Sequence, residues 1–247
     1  MKILAFADLH LDDYVADTVT AVKRAVDITN PDIVVIAGDV SDTGHPVPAL
    51  LHNMFGTEVP IVYCLGNHEF AYNSVEATLE EYRKYGNEGN LHCLDVCGSF
   101  RAGGLNIVGN VLWYDYTLGD PMVARPGEIV SNWLDKTIIG FKPIEECERC
   151  KQQIRDNLSD ELTNVLVTHC VPHKKLNAWE ILQPQGIYNQ YSGCATFLDE
   201  VKDRVKYCIC GHTHKPVSAT IDGVICYNIG NDYAFKGGRL RYEVLEV

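Results

Sequence analysis

The chain has 247 residues, 46% apolar and 22% charged, which is enough apolar content for a buried core and too much for a disordered chain. The formal net charge of −12 argues against nonspecific nucleic-acid affinity, which rests on clustered Lys and Arg, and leaves only a small nucleotide as a compatible partner of that kind. No run approaches the ~18 apolar residues of a membrane span, and the opening MKILAFA closes at Asp8, short of a secretory core, so a soluble cytoplasmic protein without a membrane partner is expected.

In chain order, a strand Ile3 to Ala7 precedes a helix from about Val15 to Thr29, which Asn30-Pro31 stops. Ile33 to Ala37 form a fully apolar strand, a helix follows around Pro48 to Phe55, and Ile61 to Leu65 form the next strand. A helix spans Val75 to Tyr85, with strands near Leu91 to Val96 and Leu105 to Asn110. Helices are predicted over Ile129 to Ile138 and Ile144 to Leu158, within a helical insertion at about 112–162. Strands return at Asn164 to Thr168 and Tyr207 to Cys210. Val217 to Ile221 and Val224 to Asn228 flank the hairpin signal Asp222-Gly223, and Arg241 to Val247 alternate as a last strand. This alternation is the pattern of an α/β protein, and the absence of repeats or linkers predicts a single domain over residues 1–247.

Ten cysteines do not form a disulfide pattern. Cys64, Cys170, Cys208, Cys210 and Cys226 lie in apolar strand-like runs, where a free thiol behaves as a small hydrophobe. Cys147 and Cys150 make a CxxC on a helix with no second CxxC to complete a zinc knuckle.

The chemistry-bearing residues follow the strands. Asp8 and His10 come after the first, Gly38 and Asp39 after the second, and Gly66, Asn67, His68 and Glu69 after the third. Thr168 and His169 follow the Asn164 strand, and Gly211, His212, Thr213 and His214 follow Cys210. Ligands of open α/β sheets bind beyond the carboxyl ends of strands. Asp, Asn and His are donors suited to Mn, Fe, Zn, Ni or Co. Gly38, Gly66 and Gly211 allow tight turns and close backbone approach. The i,i+2 pairs Asp8/His10 and His212/His214 would point to one side in extended chain. Any one of these residues alone reads as a turn or cap residue; the ordered set reads as a metal site.

The series Asp8-Leu9-His10, Gly38-Asp39-Val40-Ser41-Asp42, Gly66-Asn67-His68-Glu69, Thr168-His169 and Gly211-His212-Thr213-His214 resembles the motifs of the calcineurin-like metallophosphoesterases. The resemblance implies a four-layer α-β-β-α sandwich of two mixed β-sheets flanked by helices. It also implies two divalent metal ions, with Mn favoured. One would be held by Asp8, His10, Asp39 and His214, the other by Asp39, Asn67, His169 and His212, with His68 catalytic. The implied reaction is phosphoester hydrolysis by a water that the metal pair activates to hydroxide, with His68 supplying the leaving alkoxide with a proton. The segment Gly38 to Gly44 is also similar to the GDxVDRG motif of protein Ser/Thr phosphatases, so Asp42 reads either as the partner that orients His68 or as a turn residue in solvent. Thr43 stands where that motif has a phosphate-binding Arg. Its loss inclines the reading towards diesters, because a monoester dianion favours an extra cationic clamp. A phosphomonoesterase and a non-catalytic protein-binding scaffold of the same fold remain the alternatives. Glu69 reads as a turn or cap residue; His45, His52 and His92 read as ordinary surface or core histidines. The loop Val171 to Gly193, with His173, Lys174, Tyr188 and Tyr191, and the run Trp113 to Tyr116 read either as pocket-shaping or as packing, with packing preferred for the aromatics.

Overall fold

The computed structural model describes residues 1–11, 15–42, 47–56, 58–178, 186–231 and 240–247. Thr43, His45 and Trp179 therefore lie outside the described residues. One sheet is built from β1 (Lys2–Phe6), β2 (Ile33–Ala37), β3 (Ile61–Cys64) and β4 (Leu91–Cys93) in parallel, with β11 (Glu243–Glu246) antiparallel on β1. In the other, β6 (Leu105–Asn110), β7 (Thr163–Thr168), β8 (Val205–Cys210) and β10 (Val224–Asn228) are parallel. There β5 (Ser99–Ala102) and β9 (Val217–Ile221) are antiparallel edges, giving the order β5-β6-β7-β8-β10-β9. Both sheets are mixed, as expected.

The alternation of strand side chains creates two apolar layers. Ile3, Ala5, Ile33, Val35, Ala37, Val62 and Cys64 of the first sheet pack with Ile107, Val165, Val167 and Ile209 of the second. The intervening residues Leu4, Phe6, Val34, Ile36 and Tyr63 instead meet residues of α1 (Val15–Thr29), α2 (Val47–Phe55) and α3 (Val75–Tyr85). On the other side Val108, Leu166 and Cys208 share a cluster with Cys147, Cys150 and Ile154 of α5 (Pro143–Asn157). This is why β2, buried on both faces, is apolar throughout. α5 begins with Pro143 at its first turn and carries Glu145 and Glu146 there, as the helix dipole favours. Among the described residues no helix is long and apolar enough to cross a membrane.

Two local expectations are corrected, and one strand is added. The strand near Leu91 to Val96 stops at Cys93, and Leu94–Cys97 make a turn of helix, α4. That turn buries Asp95, which accepts from the Leu65 amide after β3 and the Val111 amide after β6, tying the two sheets together. The expected helix Ile129 to Ile138 is only a 3-10 turn at Leu134–Thr137. Trp133 ahead of it is extended, and both its indole and the Asn67 amide are drawn to Asp135 in place of helical periodicity. The edge strand Ser99–Ala102 had not been expected; Gly103 and Gly104, both at positive φ, turn it back onto β6.

Candidate metal centre

Asp8, Asp39, Asn67, His169 and His212 all lie just beyond the carboxyl ends of their strands and are all buried. The i,i+2 convergence expected of extended chain is not the mechanism. Asp8, His10, Asp39, His212 and His214 all have positive φ, between 41° and 69°, so left-handed turns after β1, β2 and β8 direct the donors inward. Each such residue costs about 1 kcal/mol or more, although Asp and His tolerate the region better than most. The loops are stitched together: Asp8 and His10 donate their amides to the Gly38 and Asp39 carbonyls, and Gly211 donates to that of His169. The motif glycines make the room. A Cβ on Gly38 would lie 2.5 Å from His169 Nδ1, on Gly66 2.0 Å from Asp39 Oδ1, and on Gly211 2.5 Å from Asp8 Oδ2.

Hydrogen bonding at the rim decides which atoms face inward. His169 Nδ1 lies 3.1 Å from the Ala37 carbonyl and His212 Nε2 3.1 Å from the Tyr191 carbonyl. Carbonyls only accept, so each of these nitrogens is assigned the proton, and His169 Nε2 and His212 Nδ1 are left as acceptors 3.0 Å apart. Asn67 donates its Nδ2 to Asp135, which aims Oδ1 at the same His169 Nε2, 3.1 Å away. Asp39 Oδ2 is 3.3 Å from that nitrogen and is buried without a hydrogen bond. With His169 neutral, four acceptors turned on one another in a buried site repel unless a positive charge lies among them, so these residues fit a metal ion. Burial would lower His169, but the carboxylates of Asp39 and Asp8 carry it up to about 10 in the metal-free chain, where a proton on Nε2 meets the demand for positive charge that a metal ion would meet. Burial and the neighbouring His169 push His212 well below its usual range.

A second set adjoins the first. Donor atoms of Asp8, His10, Asp39 and His214 lie within 4.8 Å of one another, and the His10 and His214 rings stack at 5.0 Å. Asp39 belongs to both sets. Asp42, in the described part of its loop, receives two histidines on one oxygen: His10 Nδ1 at 2.7 Å and His68 Nδ1 at 2.9 Å. It is therefore not a turn residue facing solvent. His68 Nε2 points into the site, 3.9 Å from Asp39 Oδ2. Burial works against the charged imidazole, but Asp39 and Asp42 raise His68 to about 9 in the metal-free chain. A cavity of about 400 Å³ opens here, lined by Asp39, Asn67, His68, Asn132, Trp133, Leu134, His212 and His214.

Several residues matter in ways the sequence did not disclose. Glu69 does not cap its own turn. Its carboxylate takes the amides of Val40, Ser41 and Gly66 and so clamps the Asp39 loop to the Asn67 loop. Trp133 walls the cavity, stacked on Tyr188 and Tyr191 at 5.5 and 5.2 Å. Trp113 and Tyr114 are core residues. His173 is turned towards the Lys175 amide and Asp199, and Lys174 is exposed. Cys147 meets Cys194 with sulfurs 3.3 Å apart, not Cys150, and His92 packs on Phe100.

The model of the calcineurin-like phosphoesterase family matches residues 1–216. The chain belongs to that family. The two-sheet fold of this phosphoesterase is shared with phosphopantetheinyl hydrolase (PptH) from Mycobacterium tuberculosis, at 17% identity and a TM-score of 0.71 over 92% of this chain and 88% of that one. A dimetal phosphatase from Danio rerio is similar at 14% identity and TM-score 0.55 over 99% and 91% of the two chains. GAP50, the anchor in the inner membrane complex of Plasmodium, is similar at 12% identity and TM-score 0.52 over 93% and 71%. A sequence search of curated proteins finds no match. Family membership makes this a hydrolase of phosphoester bonds that depends on divalent metal ions.

Proposed function

We propose that the chain is a dinuclear phosphoesterase with a preference for phosphodiesters. Asp8, His10, Asp39 and His214 hold one ion, and Asp39, Asn67, His169 and His212 the other. The observation that carries this reading is the cluster of Asp39 Oδ2, Asn67 Oδ1, His169 Nε2 and His212 Nδ1, four buried acceptors facing one another. Two divalent ions there, Mn in preference and Fe, Zn, Ni or Co on the same donors, supply charge that makes a water acidic enough to attack at neutral pH and that neutralises phosphoryl oxygens. His68 does the proton work. Its Nδ1 is held by Asp42, so the protonated Nε2 faces the cavity and can meet the leaving oxygen of an ester. Trp133 and Leu134 cover one side of the cavity and limit the access of bulk water.

The preference for diesters is supported by the lining of the cavity: among the described residues that form it there is no Lys or Arg, and Thr43 occupies the position of the phosphatase Arg. A monoester dianion gains more than a diester monoanion from such a cation. Ten free thiols suit a reducing, cytoplasmic setting, and residues 1–247 act as one domain in this reading.

The test is Mn-loaded protein offered bis-p-nitrophenyl phosphate beside p-nitrophenyl phosphate. Faster turnover of the diester is expected, and His68→Ala is expected to retain both ions while losing roughly 10²–10⁴-fold in kcat. Turnover of neither ester with two ions bound refutes the enzymatic reading in favour of a binding scaffold. Full activity of His68→Ala removes His68 as the acid.

A further inference from the structure

A terminal amide is a poor metal ligand unless something decides which end it presents. Asn67 is nearly symmetric in shape; its oxygen can hold a cation and its NH2 cannot. Before an ion binds, the facing atom of the cluster, a neutral His169 Nε2 3.1 Å away, is an acceptor that would take the NH2. The choice is made 68 residues away, by Asp135, whose Oδ1 accepts Asn67 Nδ2 at 2.8 Å. Its other oxygen, Oδ2, accepts Trp133 Nε1 at 2.8 Å. Asp135 is fully buried and Asn67 is 3% exposed, so water does not replace these partners. A flipped Asn67 would set its carbonyl oxygen against the Asp135 carboxylate and its NH2 against the cation. Each contact is unfavourable, so the two penalties act together.

Trp133 brings the substrate side into the same arrangement. Its ring lines the cavity, faces His212 edge to face with centroids 6.0 Å apart, and is stacked on Tyr188 and Tyr191. Tyr191 in turn offers its carbonyl to His212 Nε2, the contact that fixes the tautomer of another donor in the same cluster. One carboxylate therefore joins a metal donor to the aromatic wall of the cavity.

We propose that Asp135 is a positioning residue, which orients the carbonyl oxygen of Asn67 onto the second metal ion and anchors Trp133 as the wall that receives the ester substituent. The inference rests on the ligand assignment made above for Asn67. It assigns a role to the stretch 133–135, which none of the motifs includes.

The hydrogen-bond arithmetic supplies the test. In Asp135→Asn the new amide has one acceptor for two donors, Asn67 Nδ2 and Trp133 Nε1, so one contact is lost. In the exchange Asn67→Asp with Asp135→Asn every group is satisfied again. Asp at 67 ligates through one oxygen and accepts through the other, while Asn at 135 donates to it and accepts from Trp133. Mn²⁺ titration followed by EPR of the free ion, with unfolding temperature measured in parallel, reads each site. Asp135→Asn is expected to weaken the second ion roughly 10–100-fold, leave the first within about threefold, and lower kcat at limiting Mn with recovery at high Mn. The double exchange is expected to restore the second ion to within about threefold of the original, with Asn67→Asp alone remaining weak because two carboxylates then oppose each other. Trp133→Phe keeps an aromatic face, though a smaller one, and loses the N–H; it is expected to raise KM for bis-p-nitrophenyl phosphate several-fold more than for methyl p-nitrophenyl phosphate. Unchanged affinity for the second ion in Asp135→Asn, when Asn67→Ala loses it, overturns the inference and leaves the ligand set standing. A double exchange no better than the Asp135 variant alone, or equal KM effects on the two esters, also overturns it. Retention of the second ion by Asn67→Ala overturns the ligand assignment, and the inference with it. Should Asp135→Asn fail to fold, the comparison of Asn67→Asp with the double exchange carries the same test.

Discussion

Gly66→Ala separates the steric construction of the metal site from ordinary backbone effects. Gly66 is not among the residues at positive φ, so alanine meets no backbone strain there, and the substitution on its own would tend to stabilise the chain by about 0.4–1 kcal/mol. What it meets instead is Asp39. The new Cβ falls 2.0 Å from Oδ1, 2.7 Å from Cγ and 2.4 Å from the backbone nitrogen of that residue. A contact of about 3 Å requires Asp39 or the Gly66 loop to move by about 1 Å, and the backbone nitrogen means that no rotamer change suffices. Asp39 donors are shared by both proposed ions, and the same Oδ1 accepts the His68 amide at 3.2 Å, so the shift reaches ligand and acid together. Overpacking of this size costs about 1–3 kcal/mol of stability, and a 1 Å misplacement at a reacting centre costs on the order of 10²-fold in rate. The assay is kcat on bis-p-nitrophenyl phosphate at saturating Mn, with bound metal counted and unfolding followed in urea. Gly104→Ala is the comparator: at φ +85° it is strained, but its Cβ would meet nothing within 4 Å. It should lose about 1–2 kcal/mol and keep its activity. If Gly66→Ala retains both ions and wild-type kcat, the argument that the glycine exists to admit the Asp39 carboxylate is wrong.

Two further outcomes follow from side chains already placed. Asp42→Asn removes the charge that holds both His10 and His68 through Nδ1, and is expected to lower kcat about 10–100-fold with KM little changed; unaltered steady-state kinetics would show that neither histidine needs it. Burial pushes Asp95 up from 3.8 to about 7, so the folded chain holds this proton more tightly than the unfolded one. Its contribution is therefore fully present below about pH 4 and is lost as pH rises to about 7, worth at most ~4 kcal/mol. In chelator-treated protein, Asp95→Asn should flatten that fall in urea-unfolding stability, and identical pH slopes for the two chains would refute it.

Much of the site was legible because metal chemistry restricts donors to a few residue types and the fold presents them at strand ends. The order Asp8, Asp39, Asn67, His169, His212 and the apolar runs before each could be read from the chain alone. The motif glycines could too, although what each makes room for could not. The expected helix at Ile129 to Ile138 failed because residues there answer to distant partners: Asp135 to Asn67 and Val130 to Tyr191. Glu69 looked like a local turn residue because its three amides belong to segments on either side of a helix and a strand.

By itself, then, the sequence determined the α/β class and the ordered Asp, Asn and His residues at the strand ends, since apolar runs and residue type are local properties of the chain, while the two-sheet arrangement and the reaction type came through the resemblance of its motifs to a family. The tertiary structure decided which atom of each donor faces the cluster. Imidazole tautomers and amide orientation depend on the group behind the ligand, and those groups, the carbonyls of Ala37 and Tyr191 and the carboxylates of Asp42 and Asp135, reach it through the folded structure from positions 21 to 132 residues away in the chain. It also decided how the loops turn. The left-handed backbone at Asp8, Asp39 and His212 is strained in isolation and is held by hydrogen bonds between loops, which the pairing of β1 with β2 brings together for Asp8 and Asp39 and the packing of the two sheets for His212 and Asp8.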